Sequence, residues 1–301
     1  MFATPSSDPS RYTDSTPRRA ESARAIEFAR ELSRLGLRAG DTVMVHSSMR
    51  AVRGRGRPGA ESRDLRSAFR CVLGGDGTLV VPAYTPEHSI TSQAFADATA
   101  GRTVEELAEY LHRPRDPHAS VAAAMGAFAE SIRADDGALR SDHPLAAVVA
   151  LGGRAEEVTR GHGRTHFGPD SPMGRLYDAR ATVLAIGVGW GVVSVAHLAE
   201  YRHPHRSRRH YTCKVAASEG SSWFSFLDVA LSDHDFPELG RDFEERHPEA
   251  ITRGRVGAAH AFLLPVRPYV DFATAWMGVH RAPAAPFRSA CDETPDRSGS
   301  G

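Results

Sequence analysis

The sequence predicts an α/β fold in which helices flank a sheet. Three observations predict it. Strand-like and helical patterns alternate through most of the chain. Residues 41–84 read as strand, helix, strand, which implies two parallel strands joined by a crossover helix. The 301 residues, 41% hydrophobic and 25% charged, suffice for a large buried core.

Residues 20–35 carry Ala25, Ile26, Ala29, Leu32 and Leu35 at helical spacing, and Gly36 stops the helix. Residues 41–46 form a short buried-type strand, with Ser47 and Ser48 at its end. A Gly/Arg/Pro loop is expected over 53–59, a helix over 61–73 and a second strand over 78–84. Residues 85–122 read as polar and irregular, a lid or cover. A helix is expected over 125–133, and strands over 145–151 and 181–188. Gly187 and Gly189 break the last of these before a helix over 194–201. Residues 211–264 read as short strands and loops, and 269–276 as a closing helix. The Ser/Thr/Pro-rich segment 1–17 and the tail 284–301 are expected to be disordered, leaving a single domain over 18–283. No internal repeat is visible.

Charge and cysteine content narrow the function. The 37 basic and 37 acidic residues cancel, so no whole-chain field favours nucleic acid or membrane. Lys214 is the lone lysine among the basic residues, which reads as compositional bias. Cys71, Cys213 and Cys291 are odd in number and widely spaced, giving neither a disulfide framework nor a zinc ribbon. The expected setting is a reducing cytoplasm. The first residues lack a secretory apolar region, and no stretch of about 18 apolar residues suggests a membrane span.

The most informative segment is 183–200, a strand running through a glycine break into a helix. Ligands of open α/β sheets bind at the carboxyl ends of strands. Ser194 is placed to cap the helix, with His197 three residues on and Glu200 three further, on one helix face. A carboxylate so placed holds an imidazole as a general base. Spacing alone equally fits an incidental pair on a solvent face. Ser47 and Ser48, at a strand end, suit a phosphate or a pantetheine amide, although a simple turn is the readier reading from the residues alone. Gly54, Gly56 and Gly59 spell a Gly-x-Gly-x-x-Gly pattern, but seven residues separate it from His46 and Pro58 removes an amide, so a nicotinamide cofactor is not indicated. His203, His205 and His210 share their stretch with four arginines that would repel a metal cation. A charged surface or substrate-proximal loop is the better reading.

Taken in order, seven segments resemble the aminoglycoside 3-N-acetyltransferase family. They are residues 40–50, 77–82, 125–133, 139–144, 168–177, the His197–Glu200 helix and 254–257. The resemblance spans roughly 20–280. It implies a mixed sheet with flanking helices, distinct from the GNAT acetyltransferases. It implies acetyl-CoA as co-substrate, no metal, and transfer to an amine, the 3-amino group of an aminoglycoside antibiotic. It places catalysis on His197, Glu200 and Ser194, and coenzyme A binding around His46, Ser47, Ser48 and Met125. A homodimer is possible.

Two departures stand out. Family members carry a polar run, commonly with an aspartate, where this chain has Gly191-Val-Val193. A serine common after the His143-Pro144 position is replaced within Leu145-Ala-Ala-Val148. These changes point to a second candidate, a biosynthetic N-acyltransferase acting on a different amine-bearing natural product. A non-catalytic binding protein with the same fold is a third. For a polycationic acceptor, the acidic run 233–238 and Glu244-Glu245 are candidate contacts, or a solvated charged face.

Overall fold

Strands alternate their side chains between two faces, and here both faces are covered. The computed structural model describes residues 22–54, 62–112, 125–217 and 220–281. The expected lead-in, tail and Gly/Arg loop beyond Gly54 fall outside them, as do residues 113–122 of the expected cover.

Helix α1 (Ala23–Arg34) starts where Ser22 accepts the Ala25 amide at 3.0 Å. Strand β1 (Thr42–Ser47) follows, then a short helix α2 (Met49–Arg53) just ahead of the expected loop, capped by the Ser48 hydroxyl at the Ala51 amide. Helix α3 (Ser62–Leu73) leads to β2 (Thr78–Tyr84). The expected parallel pairing of β1 and β2 is present, with Thr42 opposite Thr78.

The segment expected to be irregular is instead ordered through His112. It holds a 3₁₀ turn (Pro86–His88) and helices α4 (Gln93–Thr99) and α5 (Val104–His112). Local capping explains this. Ser92 accepts the Phe95 amide, and Thr103 and Glu106 bond reciprocally to each other's amides.

Helix α6 (Gly126–Arg133), short strand β3 (Leu139–Arg140) and strand β4 (Ala146–Gly152) come next. Helices α7 (Ala155–Thr159) and α8 (Pro172–Asp178) precede β5 (Thr182–Ile186) and the short α9 (His197–Glu200). The region read as short strands and loops holds a hairpin of two ten-residue strands, β6 (Arg208–Ala217) and β7 (Gly220–Val229), and a full helix α10 (Phe236–Arg246). Strands β8 (Thr252–Val256) and β9 (Ala259–Pro265) and helix α11 (Val266–His280) complete the described fold.

Seven strands form one mixed sheet in the order β3-β4-β2-β1-β5-β9-β8, parallel between β2, β1 and β5 and antiparallel elsewhere. Val43, Val45, Leu184 and Ile186 face a layer containing α1, α2, α3 and α6. Met44, Val183 and Ala185 face the opposite layer, with α7 to α11. No helix among the described residues is long and apolar enough to cross a membrane.

Candidate active site

The parallel strands β2, β1 and β5 end together, and a cavity of about 360 Å³ opens at their carboxyl ends. His46 and Ser47 come from the end of β1, Tyr84 from the end of β2, and Val192, Ser194 and His197 from the chain after β5.

Glycine sets the path after β5. Gly187 has φ +67°, a left-handed conformation, and a Cβ there would lie 2.4 Å from that of Ala51. The chain then makes two 3₁₀ turns, Trp190–Val192 and Ser194–Ala196, before α9. Ser194 therefore does not cap a helix as expected. Its hydroxyl lines the cavity and donates weakly to the Val192 carbonyl at 3.3 Å. The apolar departure is structural: Val193 is buried in the core, while Gly191 and Val192 wall the cavity.

His197 Nδ1 lies 2.6 Å from Glu200 Oε2. The other Glu200 oxygen accepts the Ser232 amide at 2.9 Å and Arg281 at 2.5 Å. Glu200 is 0% exposed and sits behind the histidine, outside the cavity wall. A carboxylate already paired with Arg281 acts as acceptor. Nδ1 therefore carries the proton, and Nε2 presents its lone pair. Arg281 is gripped in turn by both Asp235 oxygens at 2.7 and 2.8 Å. Phe167 stacks on the imidazole, centroids 4.8 Å apart and planes 9° apart, and Phe236 packs at 4.8 Å.

The cavity brings together His46, Ser47, Met125, Ser194 and His197, all selected from sequence. Ser48 stands apart, because its hydroxyl is engaged in capping α2. His46 is enclosed, with Nε2 buried and unpartnered, and burial pulls its pKa down to about 4. A buried polar atom without a partner on a cavity wall suits a ligand amide or carbonyl, as coenzyme A's pantetheine arm would offer.

Sequence reasoning missed Arg281, Ser232, Phe167 and Phe236, which fix the histidine, because they are remote in the chain. Asp235 belonged to an acidic run read as acceptor contacts or solvated charge, yet it serves Arg281; Asp233 of that run does reach the cavity. Of the arginine/histidine stretch, Arg209 lines the cavity and His203 is buried. No group of three or more His, Cys, Asp or Glu among the described residues is arranged to hold a metal.

Similarity to known proteins gives this mixed α/β fold and its cavity a class. Residues 44–278 match the family model described as aminoglycoside 3-N-acetyltransferase, and the chain belongs to that family. Aminoglycoside N(3)-acetyltransferase VII of Streptomyces paromomycinus is 35% identical over 272 residues, covering 83% of this chain and 90% of that protein. The solved structure of AAC-IIIb with CoASH superposes with a TM-score of 0.72 at 26% identity, covering 87% of this chain and 98% of that one. The structure of sisomicin-bound AAC-VIa superposes with a TM-score of 0.71 at 25% identity, covering 86% and 98%. The protein is an acyltransferase of this fold.

Proposed function

We propose that the protein transfers acetyl from acetyl-CoA to an amino group, with the 3-amino group of an aminoglycoside as the first acceptor to test. The observation that carries this is the His197–Glu200 pair, 2.6 Å apart, with its imidazole on the wall of the cavity at the strand ends. The CoASH complex of AAC-IIIb supports the donor, and the relatives' names support the acceptor.

In this reading His197 Nε2 accepts a proton from the acceptor nitrogen as that nitrogen attacks the thioester carbonyl. Glu200 and Arg281 hold the ring tautomer, while Phe167 and Phe236 keep its plane. The Ser194 hydroxyl is on the same wall to meet the developing oxyanion or the departing sulfur. General-base action of this kind contributes about 10²–10⁴-fold, and holding both substrates in one cavity adds to it.

One observation favours a second acceptor class, an amine-bearing natural product of lower charge. Among the described cavity-lining residues Asp233 is the sole carboxylate, and Arg209 sets a guanidinium on the same wall. Polycationic ligands call for the opposite balance. Thiol release from acetyl-CoA, followed with sisomicin and with a panel of monoamines, separates the readings. Turnover with sisomicin supports the first, and turnover with monoamines alone supports the second. No thiol release with any amine would leave a non-catalytic binding protein.

A further inference from the structure

The cavity holds a second oriented imidazole that the scheme above leaves unused. His166 lines the same cavity as His197, and its side chain is only 7% exposed. Its Nδ1 lies 2.8 Å from Asp228 Oδ2. That oxygen also accepts the His166 amide at 2.8 Å and the Tyr201 hydroxyl at 2.7 Å, and Oδ1 accepts the Val229 amide at 2.8 Å. A carboxylate with this many donors is fixed as an acceptor, so Nδ1 carries the proton and Nε2 is left as a lone pair. The arrangement repeats the logic of His197 and Glu200 from a different part of the chain.

Aromatic and titratable groups pack around the His166 ring. Its ring packs 4.3 Å from Tyr211, 4.9 Å from His143 and 5.1 Å from Phe226. His162 packs against His143 at 4.8 Å with the ring planes tilted by 34°. Arg209 lies over the Tyr211 ring at 4.4 Å, and the like charge of a protonated His197 also acts on His166. Burial holds His143 at about 2 and His162 at about 4, so both are neutral near neutral pH. Burial likewise pulls His166 down, against the opposing bond and charge of Asp228.

Acetylating an ammonium removes two protons from one nitrogen, and a single imidazole takes one at a time. We propose that His166, with Asp228 and Tyr201 as its positioning residues, takes the first proton from a cationic acceptor and leaves the second to His197. This role rests on the amine-acetylation reading. The acceptor R–NH₃⁺ gives one proton to His166 Nε2 and becomes a free amine. The amine lone pair then forms the new C–N bond at the thioester carbon, and the carbonyl π pair moves to oxygen. His197 Nε2 takes the second N–H proton. The oxygen pair returns, the C–S bond breaks, and the thiolate collects the proton from His197 as coenzyme A thiol. The proton on His166 leaves to solvent, so the balance is ammonium plus acetyl-CoA to amide, thiol and one proton.

The test is kcat/KM for sisomicin, followed by thiol release from about pH 6 to 9, in wild type, His166→Gln and Tyr201→Phe. His166→Gln should lose about 10²-fold near pH 7 and recover about tenfold per pH unit as free amine appears, closing on wild type near the acceptor's own pKa. Tyr201→Phe, which keeps both ring and carboxylate, should show a smaller loss with the same recovery, and it carries the test if His166→Gln does not fold. A loss that is the same at every pH, or no loss in either variant, overturns the role of His166 while leaving amine acetylation intact. Wild type that releases no thiol with sisomicin or any monoamine overturns the acetylation reading itself, and this role with it.

Discussion

Glu200 shows how much support one catalytic-type histidine requires. It has no exposure, and its oxygens hold His197, the Ser232 amide and Arg281. A buried carboxylate is tolerated only when its partners are complete, and deleting one partner of a buried pair costs about 3–5 kcal/mol. Arg281→Ala leaves both Glu200 and Asp235 short of their cation, so it should destabilise by that order in denaturant unfolding. It should also depress turnover by loosening the imidazole. Ser47 and Ser48, adjacent in sequence, should separate in their effects. Ser47 lines the cavity, so Ser47→Ala should raise KM for acetyl-CoA with little change in stability. Ser48 caps α2, so Ser48→Ala should cost about 1 kcal/mol of stability with KM nearly unchanged. Parallel unfolding and kinetic measurements on the two variants check the contrast.

At the scale of elements, four of the seven strands of the sheet were legible in the sequence. Strands β1, β2, β4 and β5 are continuous apolar runs because both faces are covered, and such runs stand out. Helix α1 was legible from its stripe and from Gly36, which takes φ +105° at its end. What was missed has physical reasons. Helix α10 carries only Phe236, Leu239, Gly240 and Phe243 as its buried stripe among many charges, so its pattern is thin. The caps of α4 and α5 were present as Ser92 and the Thr103–Glu106 pair, but the polar composition around them masked the signal. The site was half legible. Local spacing delivers His197 and Glu200, whereas the rings and cation that fix them come from residues 167, 236 and 281, which the fold alone brings together. Gly240 shows the same non-local logic, because a Cβ there would stand 2.2 Å from the Trp190 ring. Gly240→Ala should therefore displace Trp190, the neighbour in sequence of the cavity-lining Gly191. A lowered melting temperature with altered tryptophan fluorescence is the expected result.

For the whole molecule, the sheet order places three parallel strand ends side by side, and the cavity forms where they stop. Three buried histidines, His46 on the cavity wall and the His143–His162 pair, are held neutral. Burial holds His46 at about 4, His162 at about 4 and His143 at about 2, each below the ordinary value near 6.5 that an unfolded chain restores. The unfolded chain therefore binds more protons than the folded one below about pH 6.5. Stability from these groups is full above that pH and declines as pH falls toward 4, by roughly 1 kcal/mol per pH unit for each imidazole. Thermal unfolding between about pH 7 and 4 should show this decline. Replacing His143 with glutamine should make it shallower by about a third, with His46 and His162 supplying the rest.

The central claim is that this fold directs acetyl transfer through His197. Thiol release from acetyl-CoA, measured for wild type and His197→Ala with the best acceptor of the sisomicin and monoamine panel, tests it most directly. The predicted result is turnover in the wild type, with one acetylated amine per thiol released, and a loss of about 10²–10⁴-fold in a folded His197→Ala protein. Full turnover in His197→Ala would contradict it.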